Sequence, residues 1–334
     1  MIDAGRPGAV LLDVQDLRTH LHTRWGVVRA VDGVSFSLCQ GETLGLVGES
    51  GSGKTMTALS LLRLVPEPAG RIVSGQILLG GQDLLALGER GMRRVRGRRI
   101  SMILQDPQTS LNPVFTAGAQ LVEALRLEDA GPRARLWRRA EEALRRVRVA
   151  APDQRLRDYP HQMSGGMKQR IVGAIALARQ PHVLIADEPT TALDATIQLQ
   201  YLALLKDVQS RTGLAMLFIT HDFGIVARMC DRVAVMYAGR IVESGPVREL
   251  FRRPRHPYTE ALMASVPRME AGVERLPSIK GQPPALHRLP DGCRFAPRCP
   301  YAEDRCRREY PPTRVIAPAH EAACWRVEPS PPSP

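Results

Sequence analysis

Short, continuous apolar runs recur along the chain and predict buried strands. They occupy residues 43–47, 100–104, 182–188 and 215–220, and each ends in, or is followed by, glycine or polar side chains. Runs of this length, bounded by turn residues, are typical of strands whose two faces are both covered. The pattern therefore predicts the core of an α/β protein.

A second group of segments alternates between apolar and polar positions. Residues 9–14 and 27–38 have this period of two, and the polar segment 20–26 joins them. Such alternation predicts strands with one solvated face. A further short strand is predicted at residues 75–80.

Apolar residues at a spacing of three to four predict helices elsewhere in the chain. Residues 56–64 form one such segment, and residues 114–149 form a longer one that Gly131-Pro132 divides into two helices. We expect the longer segment to be a helical insertion into the α/β core.

Length and composition limit the class of protein. The 334 residues, 44% of them hydrophobic, have room for one large domain and a smaller one around a sizeable core. The first 14 residues do not have the basic and apolar regions of a signal peptide, and no stretch approaches the roughly 18 apolar residues of a membrane span. We expect the protein to stay in the cytoplasm unless a partner holds it at the membrane.

The chain is basic, with a net charge of +12 spread over several arginine clusters. These clusters fit solvated faces, contact with lipid headgroups or a partner protein, or contact with nucleic acid. Aromatic residues make up only 4% of the chain, so the stacking surfaces of a single-strand binder are scarce. Charge alone does not decide the function.

The most informative stretch is GESGSGKT, residues 48–55, between a predicted strand and a predicted helix. Its three glycines allow backbone amides to turn inward around phosphate oxygens, and the helix adds its positive dipole end. Lys54 would reach the β- and γ-phosphates, and the Thr55 hydroxyl would hold magnesium. The 46 basic residues comprise 4 lysines and 42 arginines, so a lysine here fits the need for a compact ammonium. By itself the motif indicates a nucleoside triphosphatase and no more.

Polar side chains at the ends of predicted strands are candidates for chemistry at the γ-phosphate. Gln105 could reach a metal or a water there, although alone it could also be a turn residue. Asp187 suits magnesium bound through water, and Glu188 suits a general base. His221 could order the attacking water or be purely structural.

Two further features fit a nucleotide. Ser164 could cap the helix after it, and Gly165 and Gly166 allow the first amides of that helix to close on an anion. Trp25 lies in a polar segment before a strand, where it could stack on adenine or cover a sheet edge.

With these motifs in this order along the sequence, the chain resembles the ATP-binding subunits of ABC transporters over about residues 8–260. The resemblance implies a P-loop ATPase fold of the α/β class, with a β-subdomain, a RecA-like core and a helical subdomain at about 106–165. Residues 163–169 match the signature sequence of the family. The signature has Met163 where Leu is common and Met167-Lys168 where Gln is common, and it keeps the Ser-Gly-Gly centre.

The resemblance also implies the role of each site residue. Glu188, His221, Lys54 and Gln105 would be catalytic, and Thr55, Gln105 and Asp187 would hold magnesium. The contacts to ATP would be made by Trp25, Gly48, Ser50, Gly51, Gly53, Lys54, Thr55, Met56, Ser164, Gly165, Gly166, Gln169 and Asp194.

The same resemblance implies partners and a location. In the family, the signature of one subunit closes over ATP held by the phosphate loop of another. We therefore expect a second ATP-binding subunit of different sequence, two transmembrane permease subunits and an extracytoplasmic solute-binding protein. The chain would lie peripherally on the cytoplasmic face of the inner membrane, and no nucleic acid is expected.

Segments towards the C-terminus narrow the branch of the family. Residues 255–259 (RHPYT) and 281–284 (GQPP), with 159–162 (YPHQ) before the signature, resemble the oligopeptide and dipeptide importer ATPases. Nickel importers belong to the same branch, so nickel or another small solute remains an alternative cargo. The resemblance implies an ATP-binding domain at 1–260 and a C-terminal extension at 261–334.

Four of the six cysteines lie in that extension, a segment rich in Arg and Pro that has little apolar content for a core. Their thiolates could bind an iron–sulfur cluster or zinc, or remain unliganded, whereas disulfides are disfavoured in a cytoplasmic chain. Resemblance to peptide-importer ATPases that carry a [4Fe-4S] cluster implies that cluster. Its ligands would be Cys293, Cys299, Cys306 and Cys324.

Two other functions compete with transport. The basic charge and the possible metal module suggest a soluble ABC-type ATPase acting on nucleic acid, but the chain has one ATPase cassette and no long coiled coil. A kinase or other NTPase would explain the phosphate loop but not the signature sequence. We expect DNA to stimulate the ATPase activity only if the protein acts on nucleic acid.

Overall fold

The computed structural model describes residues 8–191, 193–265 and 278–328, and each of the seven predicted strands overlaps one of its strands. The strands are β1 (Val10–Thr23), β2 (Gly26–Cys39), β3 (Thr43–Val47), β4 (Gly70–Leu79), β5 (Gln82–Asp83), β6 (Ile100–Ile103), β7 (Val183–Asp187), β8 (Ala215–Ile219), β9 (Arg232–Tyr237), β10 (Arg240–Pro246), β11 (Arg314–Ala317) and β12 (His320–Ala322). All five side chains of each of β3, β7 and β8 are buried, which confirms the prediction drawn from the continuous apolar runs.

The helices include the predicted insertion. They are α1 (Lys54–Leu61), α2 (Glu89–Val95), α3 (Pro107–Ser110), α4 (Ala117–Arg126), α5 (Arg133–Arg146), α6 (Pro152–Arg155), α7 (Gly165–Leu177), α8 (Ala195–Thr212), α9 (Phe223–Met229), α10 (Val247–Arg252), α11 (Pro257–Ala264) and α12 (Asp304–Arg308). The division at Gly131-Pro132 is confirmed, because α4 ends before it and α5 begins after it. Pro132 is the N-cap residue of α5.

The segment 20–26 is wrongly predicted as a connecting loop. β1 continues to Thr23 and β2 begins at Gly26, so only a tight turn separates the two strands. The cause is pairing with β4, which begins five residues earlier than predicted and places Arg71 opposite His20 and Gly70 opposite Leu21. Such cross-strand hydrogen bonds extend a strand through polar sequence that has no alternation of its own.

The chain folds as two compact units. The first contains Met1–Val10, Cys39–Glu42 and Ala86–Phe218, and the second contains Leu11–Leu38, Thr43–Leu85 and Ile219–Pro334. The first unit holds β6 and β7 as a parallel pair, together with the helical insertion.

The second unit contains two sheets. One is antiparallel, in the order β2-β1-β4-β5, and in the other β3 pairs in parallel with β9, which continues through β10 and β12 to β11. Tyr237, Tyr258 and Phe295 pack together in its core with ring centroids 4.5–5.4 Å apart. Phe295 of the C-terminal region is therefore part of this hydrophobic core, and Ile279, Leu286 and Leu289 pack against it. Among the helices described, none is long and apolar enough to cross a membrane.

Asp32 is the centre of a buried ion cluster in the second unit. Its side chain is 4% exposed and accepts hydrogen bonds from Arg18 at 2.7 Å, from Arg240 at 3.4 Å and from Arg294. Burial raises the pKa of Asp32, but the three arginines, above all Arg294, outweigh burial and hold the pKa below its usual value. The cluster therefore stabilises the ionised carboxylate and ties residue 294 to β2.

Replacing Asp32 with Asn should lower the free energy of unfolding by about 3–5 kcal/mol, because the substitution leaves buried arginines without their counter-charge. Because the pKa is lowered on folding, the contribution of the carboxylate is present above its unfolded pKa of about 3.9 and is lost as the pH falls through the lower folded pKa. Urea unfolding from pH 3 to pH 7 measures both effects. The exposed Glu123→Gln on α4 is the control, and an equal loss in that variant would contradict the prediction.

Candidate functional site

The loop between β3 and α1 has the backbone that phosphate binding requires. Gly48 and Gly53 have φ angles of +154° and +108°, in the left-handed region that favours glycine. A Cβ atom at Gly48 would collide with the carbonyl oxygen of Met236, and one at Gly53 with that of Ala30. Close packing of the loop against neighbouring backbone therefore excludes a side chain at both positions.

Lys54 is the first residue of α1 and is buried inside the loop. Its Nζ donates hydrogen bonds to the carbonyl oxygens of Gly48 at 2.8 Å and Glu49 at 2.9 Å, and lies 3.4 Å from Ser52 Oγ. A phosphate oxygen entering the loop would offer the ammonium a charged acceptor in place of neutral ones. The loop thus holds the ammonium among neutral oxygen acceptors.

The other predicted contacts of this loop are accessible. Gly51 and Thr55 are exposed, and Met56 is half-buried. Thr55 and Met56 are the second and third residues of α1, so their backbone amides belong to the first helical turn, where amides have no intrahelical partner. Ser50 lies at the outer side of the loop, and it too is exposed.

Gln105 and Glu188 are in contact within the first unit. β6 and β7 run parallel with Ile103 opposite Ala186, so the residues that follow each strand meet at the same sheet edge. Gln105 Nε2 donates a hydrogen bond to Glu188 Oε2 at 3.0 Å. The structure therefore brings together two side chains that the sequence assigns to the γ-phosphate.

The backbone at Glu188 is strained. Its φ is +45°, a conformation that costs a residue other than glycine about 1–3 kcal/mol and is concentrated at functional sites. Thr191 Oγ1 donates a second hydrogen bond to Glu188 Oε2, at 3.0 Å. Asp187, the last residue of β7, is 1% exposed. Asp187 is thus buried at the end of β7, whereas the Glu188 carboxylate accepts hydrogen bonds from Gln105 and Thr191.

Ser164 caps α7, as predicted. Its Oγ accepts a hydrogen bond from the amide of Met167 at 3.3 Å, and the side chain is exposed. Gly165 and Gly166 are the first two residues of the helix, and a Cβ at Gly166 would lie 2.9 Å from Ile197 Cγ2 on α8. Gln169, one turn later, is buried.

Asp194 caps the neighbouring helix α8. Its Oδ1 accepts hydrogen bonds from the amides of Thr196 at 3.1 Å and Ile197 at 3.0 Å. In this structure the carboxylate therefore satisfies the first amides of its own helix.

The remaining two predicted residues of the nucleotide site lie in the second unit. Trp25 is at the turn between β1 and β2, where its ring is 70% exposed and lies 4.7 Å from the guanidinium of Arg24. His221 is exposed two residues after β8 ends, just before Asp222 caps α9. The aromatic face and the imidazole are both accessible to a ligand.

Comparison with known proteins decides the family. The profile of the ABC transporter family matches residues 31–191, and that of the oligopeptide/dipeptide transporter C-terminal region matches residues 242–306. The chain is 54% identical over 318 residues to the probable peptide ABC transporter ATP-binding protein y4tR of Sinorhizobium fredii, covering 95% of each chain. The chain belongs to the ATP-binding subunits of peptide ABC transporters. It is also 48% identical over 323 residues to the oligopeptide transport ATP-binding protein OppD of Bacillus subtilis, covering 96% of this chain and 90% of that protein.

A solved structure agrees on the fold of this peptide ABC transporter subunit. The dimeric ATP-binding cassette MJ0796, bound to ADP and Pi, superposes with a TM-score of 0.63 at 24% identity, covering 71% of this chain and 99% of that one. At this identity the likeness concerns the fold alone. The predicted α/β fold of an ABC-type ATPase is confirmed, and membership of the family makes the subunit an ATPase.

The four cysteines of the C-terminal region of this subunit line one cavity. They are Cys293, Cys299, Cys306 and Cys324. Desolvation raises the pKa of Cys293 to about 11 and also raises those of Cys299 and Cys324, so these thiols hold their protons at neutral pH unless a metal displaces them. In the described part of the chain, no group of three or more His, Cys, Asp or Glu side chains is placed to hold a metal ion.

Two contacts of this ABC subunit were not predicted from its sequence. Thr191 bonds to Glu188 from three residues away, and the polar turn directly after the carboxylate is a signal that could have identified it. Arg298 forms an ion pair with Glu49 of the phosphate loop across 249 residues of sequence. No local pattern distinguishes Arg298 from the other arginines.

Proposed function

We propose that this subunit hydrolyses ATP to energise the import of peptides through membrane permease subunits. The contact between Gln105 and Glu188 at the end of two parallel strands carries the ATPase part of the proposal, because a carboxylate held by a hydrogen bond at a strand end is a candidate general base. The match of residues 242–306 to the C-terminal region of oligopeptide/dipeptide transporters supports peptides as the cargo.

The proposed chemistry is transfer of the γ-phosphoryl group of ATP to water. Glu188 accepts a proton from the attacking water, while Gln105 and Thr191 fix the position of its carboxylate. His221 orients the same water by a hydrogen bond. Lys54 offsets the negative charge on the β- and γ-oxygens, and Trp25 stacks on the adenine.

Magnesium enters as part of the MgATP substrate. We assign its protein contacts to the Thr55 hydroxyl, the Gln105 amide oxygen and the Asp187 carboxylate. These are hard oxygen donors, which is the ligand type that magnesium prefers. The position of Asp187 as the last residue of β7, next to Glu188, supports the assignment.

We further propose that the working unit contains two ATP-binding subunits. The start of α7, with exposed Ser164 and half-buried Gly165 and Gly166, would close over ATP held by the partner subunit, and Gln169 and Asp194 would support that surface. Exposed amides at a helix start favour binding of an anion supplied from outside the chain. The dimer of MJ0796 with ADP and Pi supports this arrangement.

The wider assembly follows from the same proposal. The subunit would lie on the cytoplasmic face of the inner membrane, bound to two permease subunits that receive cargo from an extracytoplasmic solute-binding protein. The second ATP-binding subunit would differ in sequence. Residues 1–260 would form the ATP-binding domain, with the helical subdomain at about 106–165, and residues 261–334 the extension.

Uptake by cells that have lost only this subunit tests the cargo. Labelled dipeptides, labelled oligopeptides and radioactive nickel are supplied separately to the deletion strain and to the same strain carrying the subunit on a plasmid. We expect peptide uptake to fall in the deletion strain and to return with the plasmid. Restoration of nickel uptake alone would replace the peptide assignment with the metal alternative.

We also propose that the four cysteines hold a [4Fe-4S] cluster. What supports this is the chemistry of the donor set, since four thiolates around one cavity are the usual ligands of such a cluster. When bound, the cluster would supply a covalent link between chain segments 293–299, 306 and 324. Zinc is the alternative ligand of the same four side chains.

Anaerobic purification of the full chain should give a brown protein with visible absorbance that is lost on reduction, and with about four irons and four sulfides per chain. Replacing Cys306 with Ser should remove most of the iron. Cys39→Ser, outside the cavity, is the matched control and should keep it. Stoichiometric zinc without iron would overturn the cluster.

A further inference from the structure

Arg298 of the C-terminal region binds Glu49 within the phosphate loop. Arg298 Nη1 lies 2.7 Å from Glu49 Oε2, and Nη2 lies 3.0 Å from Oε1. Two parallel charge-assisted bonds of this kind fix both position and orientation. The side chain of Arg298 is 4% exposed and that of Glu49 25% exposed, so solvent screens the pair only weakly.

Every N–H donor of the Arg298 guanidinium has an acceptor. Besides the two bonds to Glu49, Nε donates to the carbonyl oxygen of Lys280 at 3.1 Å, Nη1 to Tyr237 Oη at 3.3 Å and Nη2 to the carbonyl oxygen of Ile279 at 3.4 Å. A guanidinium has five such donors, and all five are engaged. The group is therefore fixed in place, and it acts on the loop through Glu49 rather than on a ligand.

The backbone of Glu49 is held from a second side. Its amide donates to Tyr258 Oη at 2.9 Å, and Tyr258 is fully buried. Its carbonyl oxygen accepts the hydrogen bond from Lys54 Nζ at 2.9 Å. Glu49 thus connects Arg298 and Tyr258 to the lysine that would meet the phosphates.

Glu49 places a negative charge within the loop that is proposed to bind a triphosphate. A carboxylate there repels the ligand, and the repulsion grows as solvent is excluded. The planar fork of Arg298 matches the carboxylate and offsets its charge without reaching the phosphates. Lysine could not make the same pair of bonds.

We propose that Arg298 supports ATP binding by neutralising Glu49, so that the phosphate loop presents Lys54 to the nucleotide without an unpaired negative charge beside it. The inference rests on the proposed function, because it assumes that this loop binds MgATP. It assigns to the C-terminal region a direct role in nucleotide affinity.

Equilibrium binding of a fluorescent ATP analogue with Mg2+ to the full chain tests the proposal. Arg298→Gln should raise the Kd about tenfold, and Glu49→Gln should leave it within about threefold of wild type. The double variant Arg298→Gln with Glu49→Gln should recover most of the affinity, because the repulsive charge is gone. Arg298→Lys should bind the analogue nearly as weakly as Arg298→Gln does, because one ammonium cannot form both bonds to Glu49.

Glu49→Asp tests the same point with Arg298 left in place. The shorter side chain keeps the charge but cannot hold both N–H groups, so it should weaken binding more than Glu49→Gln does. Arg294→Gln is the matched control from the same segment, since Arg294 binds Asp32 and the carbonyl oxygen of Ala238 rather than the loop. It should lower the thermal midpoint of unfolding and leave the Kd unchanged.

Unchanged affinity in a folded Arg298→Gln variant would overturn the proposal. Equal weakening by Glu49→Gln and Glu49→Asp would also overturn it, because shape rather than charge would then control binding. Failure of the wild-type chain to bind MgATP would instead contradict the proposed function of the loop. The wild-type measurement therefore separates the two failures.

Discussion

Replacing Glu188 with Gln is expected to lower ATP turnover by about 10²–10⁴-fold while ATP binding is kept. The amide is nearly the same size as the carboxylate but cannot accept the proton of the attacking water, and removing a general base has an effect of this magnitude. The hydrogen bonds from Gln105 and Thr191 hold the carboxylate in one place. Steady-state ATPase assays and nucleotide-binding assays on the same preparation measure the two quantities.

Two further variants serve as comparisons for Glu188→Gln. Thr191→Val removes one of the two donors to Glu188 and should lower turnover by a smaller factor. Glu142→Gln changes an exposed carboxylate on α5 and should have no effect. Near-normal turnover in the Glu188→Gln variant would remove Glu188 from the role of base.

Replacing Lys54 with Met is expected to weaken ATP binding by about 10–100-fold, the effect of losing a hydrogen bond between charged groups worth about 1.5–3 kcal/mol. The thioether side chain fills a similar space, so the loop keeps its shape but loses the cation. Lys54→Arg should bind ATP as weakly as Lys54→Met, because a planar guanidinium does not fit among the two carbonyl oxygens and the Ser52 hydroxyl that surround Nζ. Titration with a fluorescent ATP analogue measures the affinity of each variant.

Lys206→Met on α8 is the matched control, since it removes a lysine outside the phosphate loop. Its affinity should equal that of the wild-type chain. If the Lys54→Met variant bound ATP with wild-type affinity, Lys54 would not contribute to binding the phosphates.

Local patterns were enough to predict the parts of the fold that depend on neighbouring residues. The apolar run at Thr43–Val47 and the glycines after it are consecutive in sequence, so their strand and loop could be predicted directly. The cap formed by Ser164 follows from a polar residue placed just before a helix. Gln105 and Glu188 could be placed together because parallel strands end at the same edge.

Contacts between distant charged residues could not be predicted in this way. Arg298 lies 249 residues from Glu49, and Arg294 lies 262 residues from Asp32. With 42 arginines in the chain, composition does not indicate which of them become buried. The left-handed backbone of Glu188 also leaves no signal, since it results from the turn that the folded protein imposes on the residue after β7.

ATP-driven uptake by the assembled transporter tests the central claim most directly. The subunit is purified with its permease and ATP-binding partners, reconstituted into vesicles with MgATP on the side of the ATP-binding subunits, and supplied with the solute-binding protein and a labelled dipeptide. We predict uptake that requires MgATP and falls at least about tenfold when Glu188 of this chain is replaced by Gln. Uptake that is unaffected by Glu188→Gln, or ATPase activity that responds to DNA and not to the loaded solute-binding protein, would contradict the account.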